Sequence, residues 1–442
     1  MRVSLKIKDI INKIKSSNIG LRMASGAFWS FTGTAIAKFI VLIGGILCAR
    51  ILGKEEYGEF GMVRSTITMF VALGTAGLGM TATKYISEFR NRDIDKVGNI
   101  YKLTNGFAII TGTVITIIVL LLSKHLAINT LNAPHLISGI RIGALLLFVT
   151  ILNGAQNGTL AGFENFRAIA INTFFGSVME CVLMLLGAYY WGVNGAILGF
   201  GCGYATLFVL NNISIKKLLK AYSIVTPKFR LNHENLRVLA KFSLPAALSS
   251  LMVSPIYWVV RSILVNKSGF GELAVYEAAE QWRIIILFIP GAISHIVLPI
   301  LSSIRGDDIN KFWKVLKLNL LLNAGVAAFL SLLIIPSSSF IMSFYGKGYD
   351  NVWPIIILSL STILSSMASV VGLSISSRSK MWVGFGFNAF WGCMMVTFTY
   401  LFTTKGFGAT GLALSILCSY AIHTTLQLLY LRVIAKSENV LL

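Results

Sequence analysis

Charge is scarce in this chain, and acidic charge scarcest. Of 442 residues only 17 are Asp or Glu, and charged residues together make up 12%. A soluble domain carries about 25%, so a water-facing surface around a protein of this length is excluded. Cysteine is also sparse. Cys48, Cys181, Cys202, Cys393 and Cys418 each fall inside an apolar run, and no two form a CxxC pair. That spacing excludes a disulfide framework and argues against a thiolate metal site. The five histidines, His125, His135, His233, His295 and His423, lack metal-ligand spacing. There is no Walker A motif, no glycine-rich nucleotide loop and no soluble stretch long enough for a catalytic domain. We therefore expect neither an enzyme nor a built-in ATP motor, and no metal or cofactor.

What the chain has instead is length and apolarity. It is 55% hydrophobic, with mean hydropathy +0.77. A membrane-spanning helix needs about 20 mostly apolar residues, at roughly 1.5 Å each. Such runs occur near 24–52, 57–86, 101–123, 136–161, 168–190 and 193–215, then near 242–265, 272–303, 313–336, 352–375, 381–402 and 408–431. The chain thus reads as an all-α integral membrane protein of about twelve transmembrane helices. Residues 1–22 form a basic amphipathic segment lying on the cytoplasmic surface, with Leu5, Ile7, Ile10, Ile11 and Ile14 among lysines. A basic connector at 216–241 separates a bundle at 23–215 from a second at 242–431, and residues 432–442 form a tail.

The net charge of +21 would suggest nucleic acid in a soluble protein. Here the basic residues sit in short connections, which points to topology and anionic lipid instead. With the N-terminus placed inside, the cytoplasmic segments hold 27 of the 38 Lys and Arg residues. The outer loops hold five: Lys54, Lys124, Lys267, Lys347 and Lys405. A wrong helix count would scramble that asymmetry, so a multi-pass protein of the cell membrane with both termini cytoplasmic is expected.

The two halves also repeat. Tyr57-Gly58-Glu59-Phe60 matches Phe270-Gly271-Glu272-Leu273, and Ile94-Asp95-Lys96 matches Ile309-Asn310-Lys311. Asn172 and Gly176 match Asn388 and Gly392, and Gly192 and Gly195 match Gly408 and Gly411. Six helices separate equivalent positions, so the repeat is parallel, with a pseudo-twofold axis along the membrane normal. Two such six-helix bundles facing each other would enclose a cavity.

Charges inside apolar helices are costly, at least about 2.5–3.5 kcal/mol each, and are functional candidates by default. The basic ones are Lys38, Arg50, Arg64, Arg141, Arg261 and Arg283; the acidic ones are Glu180, Glu277 and Glu280. Ser30, Thr34 and Lys38 recur every four residues. Ser250, Ser254, Tyr257 and Arg261 form a stripe, Tyr276, Glu277, Glu280 and Arg283 another, and Arg64 shares a face with Thr68. Polar stripes at helical spacing turn away from lipid, so the first two helices of each half should line the cavity.

Arg64 and Glu277 occupy equivalent positions with opposite charge, which suggests an ion pair across the cavity. The bland alternative is a salt bridge that locks helices. Guanidinium forks and a mobile lysine suit a diphosphate. Lys38 and Arg283 lie near mid-depth; Arg50, Arg64, Arg141 and Arg261 lie toward the outer half, where snorkelling is the alternative for Arg50 and Arg261. Glu277, Glu280 and Glu180 are candidates for ion coupling or a cavity ion pair, with a neutral structural role open for Glu180. Gly195, Gly199 and Gly203 read as a helix-packing stripe, and Pro255, Pro290 and Pro299 as bends.

The run Ala49-Arg50-Ile51-Leu52-Gly53-Lys54-Glu55-Glu56-Tyr57-Gly58-Glu59-Phe60 resembles the signature of polysaccharide-biosynthesis flippases, the O-antigen-type, Wzx-like transporters of the multidrug/oligosaccharidyl-lipid/polysaccharide exporter superfamily. Gly77-Leu78-Gly79, Lys84-Tyr85-Ile86, Gly192-Val193-Asn194-Gly195-Ala196 and Tyr345-Gly346-Lys347-Gly348-Tyr349 are similar as well. The resemblance spans essentially the whole chain. It implies a V-shaped, MATE-like pair of bundles with alternating access. It also implies a polyprenyl-diphosphate oligosaccharide as substrate, with the diphosphate held by cavity cations. A working monomer is expected, contacting membrane lipids and alongside a glycan polymerase and glycosyltransferases. An ion-coupled exporter of small organic molecules is the competing reading. It would call for acidic residues to dominate the deep cavity, and helix one contains no Asp or Glu.

Overall fold

A computed structural model of the chain describes residues 18–75, 77–226, 252–303, 309–378 and 380–437. Most of the 1–22 segment, much of the 216–241 connector, and Ser250 lie outside them. The described residues are all-helical, without a strand. The helices are α1 (Asn18–Leu52), α2 (Lys54–Thr75), α3 (Leu78–Phe89), α4 (Ile94–His125), α5 (Ile137–Gly162) and α6 (Phe166–Ala221), followed by α7 (Val253–Ser268), α8 (Phe270–Ser303), α9 (Ile309–Ile334), the short α10 (Ser338–Ser343), α11 (Trp353–Ser377), α12 (Met381–Thr404) and α13 (Gly408–Ser437).

Local chemistry sets several boundaries. Asp93 caps α4 by accepting from the Lys96 backbone N–H at 3.1 Å, and Asn165 caps α6 by accepting from Ala168 at 3.2 Å. Within α6 the backbone turns back at Trp191 and Gly192, where Gly192 has φ +56°, a left-handed conformation that glycine adopts without a Cβ clash. The two arms then pack on each other through the glycine stripe. A Cβ on Gly195 would lie 2.1 Å from the Gly187 carbonyl oxygen, and one on Gly199 would lie 2.2 Å from that of Leu183. These are backbone contacts that no side chain could yield to.

Among the described residues, eight helices are long and apolar enough to cross a membrane, or nine if α2 and α3, bent by 42°, count as one span. The protein is therefore a multi-pass membrane protein. α8 is not in this count, and α6 is counted once although it folds back on itself.

α1 to α6 pack among themselves, as do α7 to α13. The main packing between these groups is α2 on α7 and α8, and α1 on α8. One continuous apolar core spans both groups around Tyr57, Met62, Leu264, Tyr276 and Tyr345. Farther along, it divides. Ala82, Ile86, Val97 and Ile100 form a separate core in the first group, and Phe312, Leu316, Val371 and Leu431 form one in the second. A single core at one end and two at the other is the packing of a V. Polar bonds reinforce the joined end. Arg50 Nε donates to the Phe344 carbonyl at 2.6 Å, Asn266 Nδ2 to Thr130 at 2.7 Å, Asn132 Nδ2 to Asn266 Oδ1 at 2.8 Å, and Trp258 Nε1 to Thr66 Oγ1 at 2.9 Å. Gln281 bonds the Tyr57 hydroxyl there too. Exposed Tyr189, Tyr190 and Trp191 sit at the fold of α6, and α12 carries exposed aromatics near both ends, Trp382 (80%) and Tyr400 (51%).

Candidate functional site in the cleft between the halves

The cleft holds a cavity of about 530 Å³ lined mainly from four helices, with Thr173 of α6 as the one contribution from a fifth. α1 supplies Thr34 and Lys38, α2 supplies Arg64 and Thr68, α7 supplies Ser254, Tyr257 and Arg261, and α8 supplies Glu277 and Glu280. These are the first two helices of each repeat.

Small residues let α2 approach α8 closely enough to bring the charges together. A Cβ on Gly58 would lie 1.9 Å from the Phe270 carbonyl oxygen, and one on Gly61 would lie 2.9 Å from Glu277 Cγ. The repeat motifs at Gly58 and Phe270 are thus packed against each other. One helical turn farther along, Arg64 Nη2 donates to Glu277 Oε2 at 2.8 Å. The other carboxylate oxygen, Oε1, accepts from Arg261 Nε at 2.6 Å. Glu277 is only 3% exposed and is held by one arginine from each half. Burying a carboxylate this completely is tolerable only with such pairing. Arg64 remains partly exposed to the cavity, its side chain at 23%.

A second pair stands behind the first. Arg283 donates to both oxygens of Glu280, at 2.7 and 3.0 Å, and to the Tyr257 hydroxyl at 2.8 Å. Arg283 is buried and is satisfied by that pair, so it supports the cavity wall and does not line it. Lys38 does line the cavity. It has no ion-pair partner among the described residues, and its ammonium lies 5.9 Å from the Phe288 ring. The ring face offers a weak cation–π contact and leaves the charge available.

The remaining sequence candidates lie elsewhere. Arg50 is exposed at the joined end and binds the carbonyls of Ser343 and Phe344. Arg141 is exposed and donates to Ser123 Oγ at 3.2 Å. Glu180 opens on a side pocket of about 300 Å³ that shares Arg64 with the main cavity. Among the described residues, no group of three His, Cys, Asp or Glu side chains is placed to hold a metal.

A bonded cluster of neutral amides escaped the sequence reading, where Asn172 served only as a landmark of the repeat. Asn172 Nδ2 donates to Asn211 Oδ1 at 2.9 Å and Asn211 Nδ2 to Asn157 Oδ1 at 3.0 Å, which ties α5 to both arms of α6. Their signal was present as Asn and Gln inside apolar runs, where buried polar groups must find partners.

Chains of known structure share this architecture. An inward-facing multidrug resistance MATE family transporter of the MOP superfamily superimposes with TM-score 0.78 at 18% identity, covering 91% of this chain and 95% of that one. A MOP superfamily transporter from Pyrococcus furiosus, described as having a binding pocket of reversed polarity, gives 0.71 at 18%, covering 94% and 96%. These likenesses establish the fold.

Among curated relatives, the EPS I polysaccharide export inner membrane protein EpsE of Ralstonia solanacearum is 22% identical, covering 90% of this chain and 92% of that one. The lipopolysaccharide biosynthesis protein WzxC of Escherichia coli K12 is 24% identical, covering 91% and 79%. The lipid III flippase of the same strain is 22% identical, covering 64% and 68%. The family described as polysaccharide biosynthesis protein matches residues 23–305, well over half of the sequence, and the chain belongs to that family.

Proposed function

We propose that the protein flips a polyprenyl-diphosphate-linked oligosaccharide from the cytoplasmic to the outer leaflet, by alternating access between two six-helix bundles at 23–215 and 242–431. The observation that carries this reading is the charge of the cavity. Lys38 lines it without an ion-pair partner among the described residues, and Arg64 keeps part of its guanidinium on the same space, while Glu277 and Glu280 are each neutralised by arginine. A site with cations to spare attracts a diphosphate and repels a cationic drug. Lys38 supplies a mobile point charge for the phosphate oxygens, and Arg64 a directional donor.

Topology supports the reading. Counting α7, α8 and the second arm of α6 as spans, beside the eight apolar helices and the bent pair, gives the twelve expected from the sequence. With both termini cytoplasmic, the joined end faces outward and the cleft opens on the leaflet where lipid-linked sugars are assembled. A monomer suffices, because each chain encloses its own cavity. A glycan polymerase and glycosyltransferases are the expected neighbours. The protein acts as a transporter, with no bond-making step.

The test is translocation of a labelled polyprenyl-diphosphate oligosaccharide in proteoliposomes. Wild type should flip it, and Lys38→Ala and Arg64→Ala should each lower the rate at least tenfold at equal protein abundance. Flipping that survives both substitutions would discard this cavity as the diphosphate site. Absence of flipping with an ion gradient imposed, across several glycans, would favour the exporter of small organic molecules.

A further inference from the structure

Arg64 borders two spaces. One is the central cavity. The other is the pocket of about 300 Å³ within the first half, lined also by Thr68, Thr173, Glu180 and Tyr204. Glu180 stands on the first arm of α6, half-buried. Its base is fixed, since Gly203 of the second arm packs so closely that a Cβ there would lie 2.4 Å from Glu180 Cβ. Beyond that base the carboxylate has no hydrogen bond or ion pair among the described residues, and it shares its pocket with an arginine engaged elsewhere.

The arginine's present bond is the one that alternating access must break. Glu277 belongs to the second half and keeps a partner of its own half, Arg261 at 2.6 Å. If the halves separate at the joined end, Glu277 stays neutralised and Arg64 does not. An arginine cannot shed its proton to escape, and an unpaired charge in the membrane interior is strongly disfavoured. Arg64 then needs an anion carried by its own half, and Glu180 opens on the same pocket.

We infer that Glu180 is the second partner of Arg64. In the form described here the guanidinium holds Glu277 and clasps the halves together. When they part, it swings into the side pocket and pairs with Glu180, so the charge has a carboxylate in both forms even with no substrate bound. This inference rests on the alternating-access part of the proposed function. It makes Glu180 a positioning residue for the outward form and assigns it no contact with substrate.

The test uses substrate-free protein in nanodiscs, with the five native cysteines replaced by alanine. Spin labels go on K124C and K405C, exposed positions at the joined end of either half. Electron–electron distance distributions are compared with and without Glu277→Gln, which removes the clasp. Two spacings are expected, with the longer one enriched by Glu277→Gln. Glu180→Gln should reduce the longer spacing by about tenfold or more relative to the shorter, and Glu180→Asp should preserve it. Combined with Arg64→Gln, Glu180→Gln should change nothing further. That pair removes both charges and reads the coupling even if the single variant inserts poorly. Two spacings whose ratio ignores Glu180→Gln, or a shift that persists beside Arg64→Gln, would overturn the exchange alone. A single spacing in every sample would overturn alternating access and the exchange together.

Discussion

Glu280 and Arg283 show what a charge inside this protein requires. The two are one helical turn apart, both buried, and bonded through both carboxylate oxygens. Removing one partner leaves the other stranded, at a cost of about 3–5 kcal/mol, whereas replacing both by apolar residues of similar volume is far milder. Glu280→Ala should therefore lower the melting temperature in detergent sharply. Glu280→Ala with Arg283→Met should recover most of that loss, giving a strongly non-additive double-mutant cycle. An additive pair would mean that the two side chains are not coupled as drawn. The sequence placed Glu280 and Arg283 on one stripe without pairing them, whereas it made Arg64 with Glu277 legible through the repeat. Arg50 was opaque for a physical reason: its acceptors are main-chain carbonyls of Ser343 and Phe344, and a carbonyl leaves no mark in composition.

Helices approach one another here according to where glycine allows it. Gly199 rests on the Leu183 carbonyl and Gly58 on that of Phe270, so neither contact relaxes by moving a side chain. Gly199→Val should fail within one half, seen as a loss of folded protein on size-exclusion chromatography. Gly58→Ala should act between the halves. It is expected to spare folding but loosen the joined end, lowering disulfide cross-linking between N132C and N266C. The Gly195, Gly199 and Gly203 stripe announced its packing role in the sequence, because three glycines four residues apart have few other uses in an apolar helix. The bent pair α2 and α3 read as one run, 57–86, since hydropathy measures length and is blind to a 42° bend. The amide cluster of Asn157, Asn172 and Asn211 was missed because a neutral side chain barely lowers the hydropathy of its window, yet it sets how the arms of α6 dock on α5.

At the scale of the whole molecule, bonds between the halves concentrate at one end, and the core divides toward the other. Closing that end covalently should arrest the cycle. Asn132 Nδ2 and Asn266 Oδ1 are 2.8 Å apart across it, so an oxidised N132C/N266C protein should lose translocation and regain it on reduction. Retained flipping in the oxidised form would mean that the halves need not separate there. Two helices of each half facing a cleft was legible from the polar stripes. Which end would be joined was not, because the bonds that join it pair residues far apart in the chain, such as Trp258 with Thr66 and Gln281 with Tyr57, and such pairings carry no periodicity.

The exposed aromatics near the ends of α12 bear on the surrounding lipid. Trp382 and Tyr400 are eighteen residues apart on one helix, or about 27 Å at 1.5 Å per residue. Aromatic rings of this kind settle at the headgroup boundary, so they gauge the thickness of bilayer that fits the protein, close to a hydrocarbon layer of about 30 Å. A V that opens and closes must change its girth while these anchors stay at depth. Acyl-chain length then becomes a setting of the transporter: lipids that are too short or too long impose hydrophobic mismatch on one form more than on the other. Flipping measured across a series of phosphatidylcholines should pass through a maximum near the matched thickness, and Trp382→Ala should flatten it.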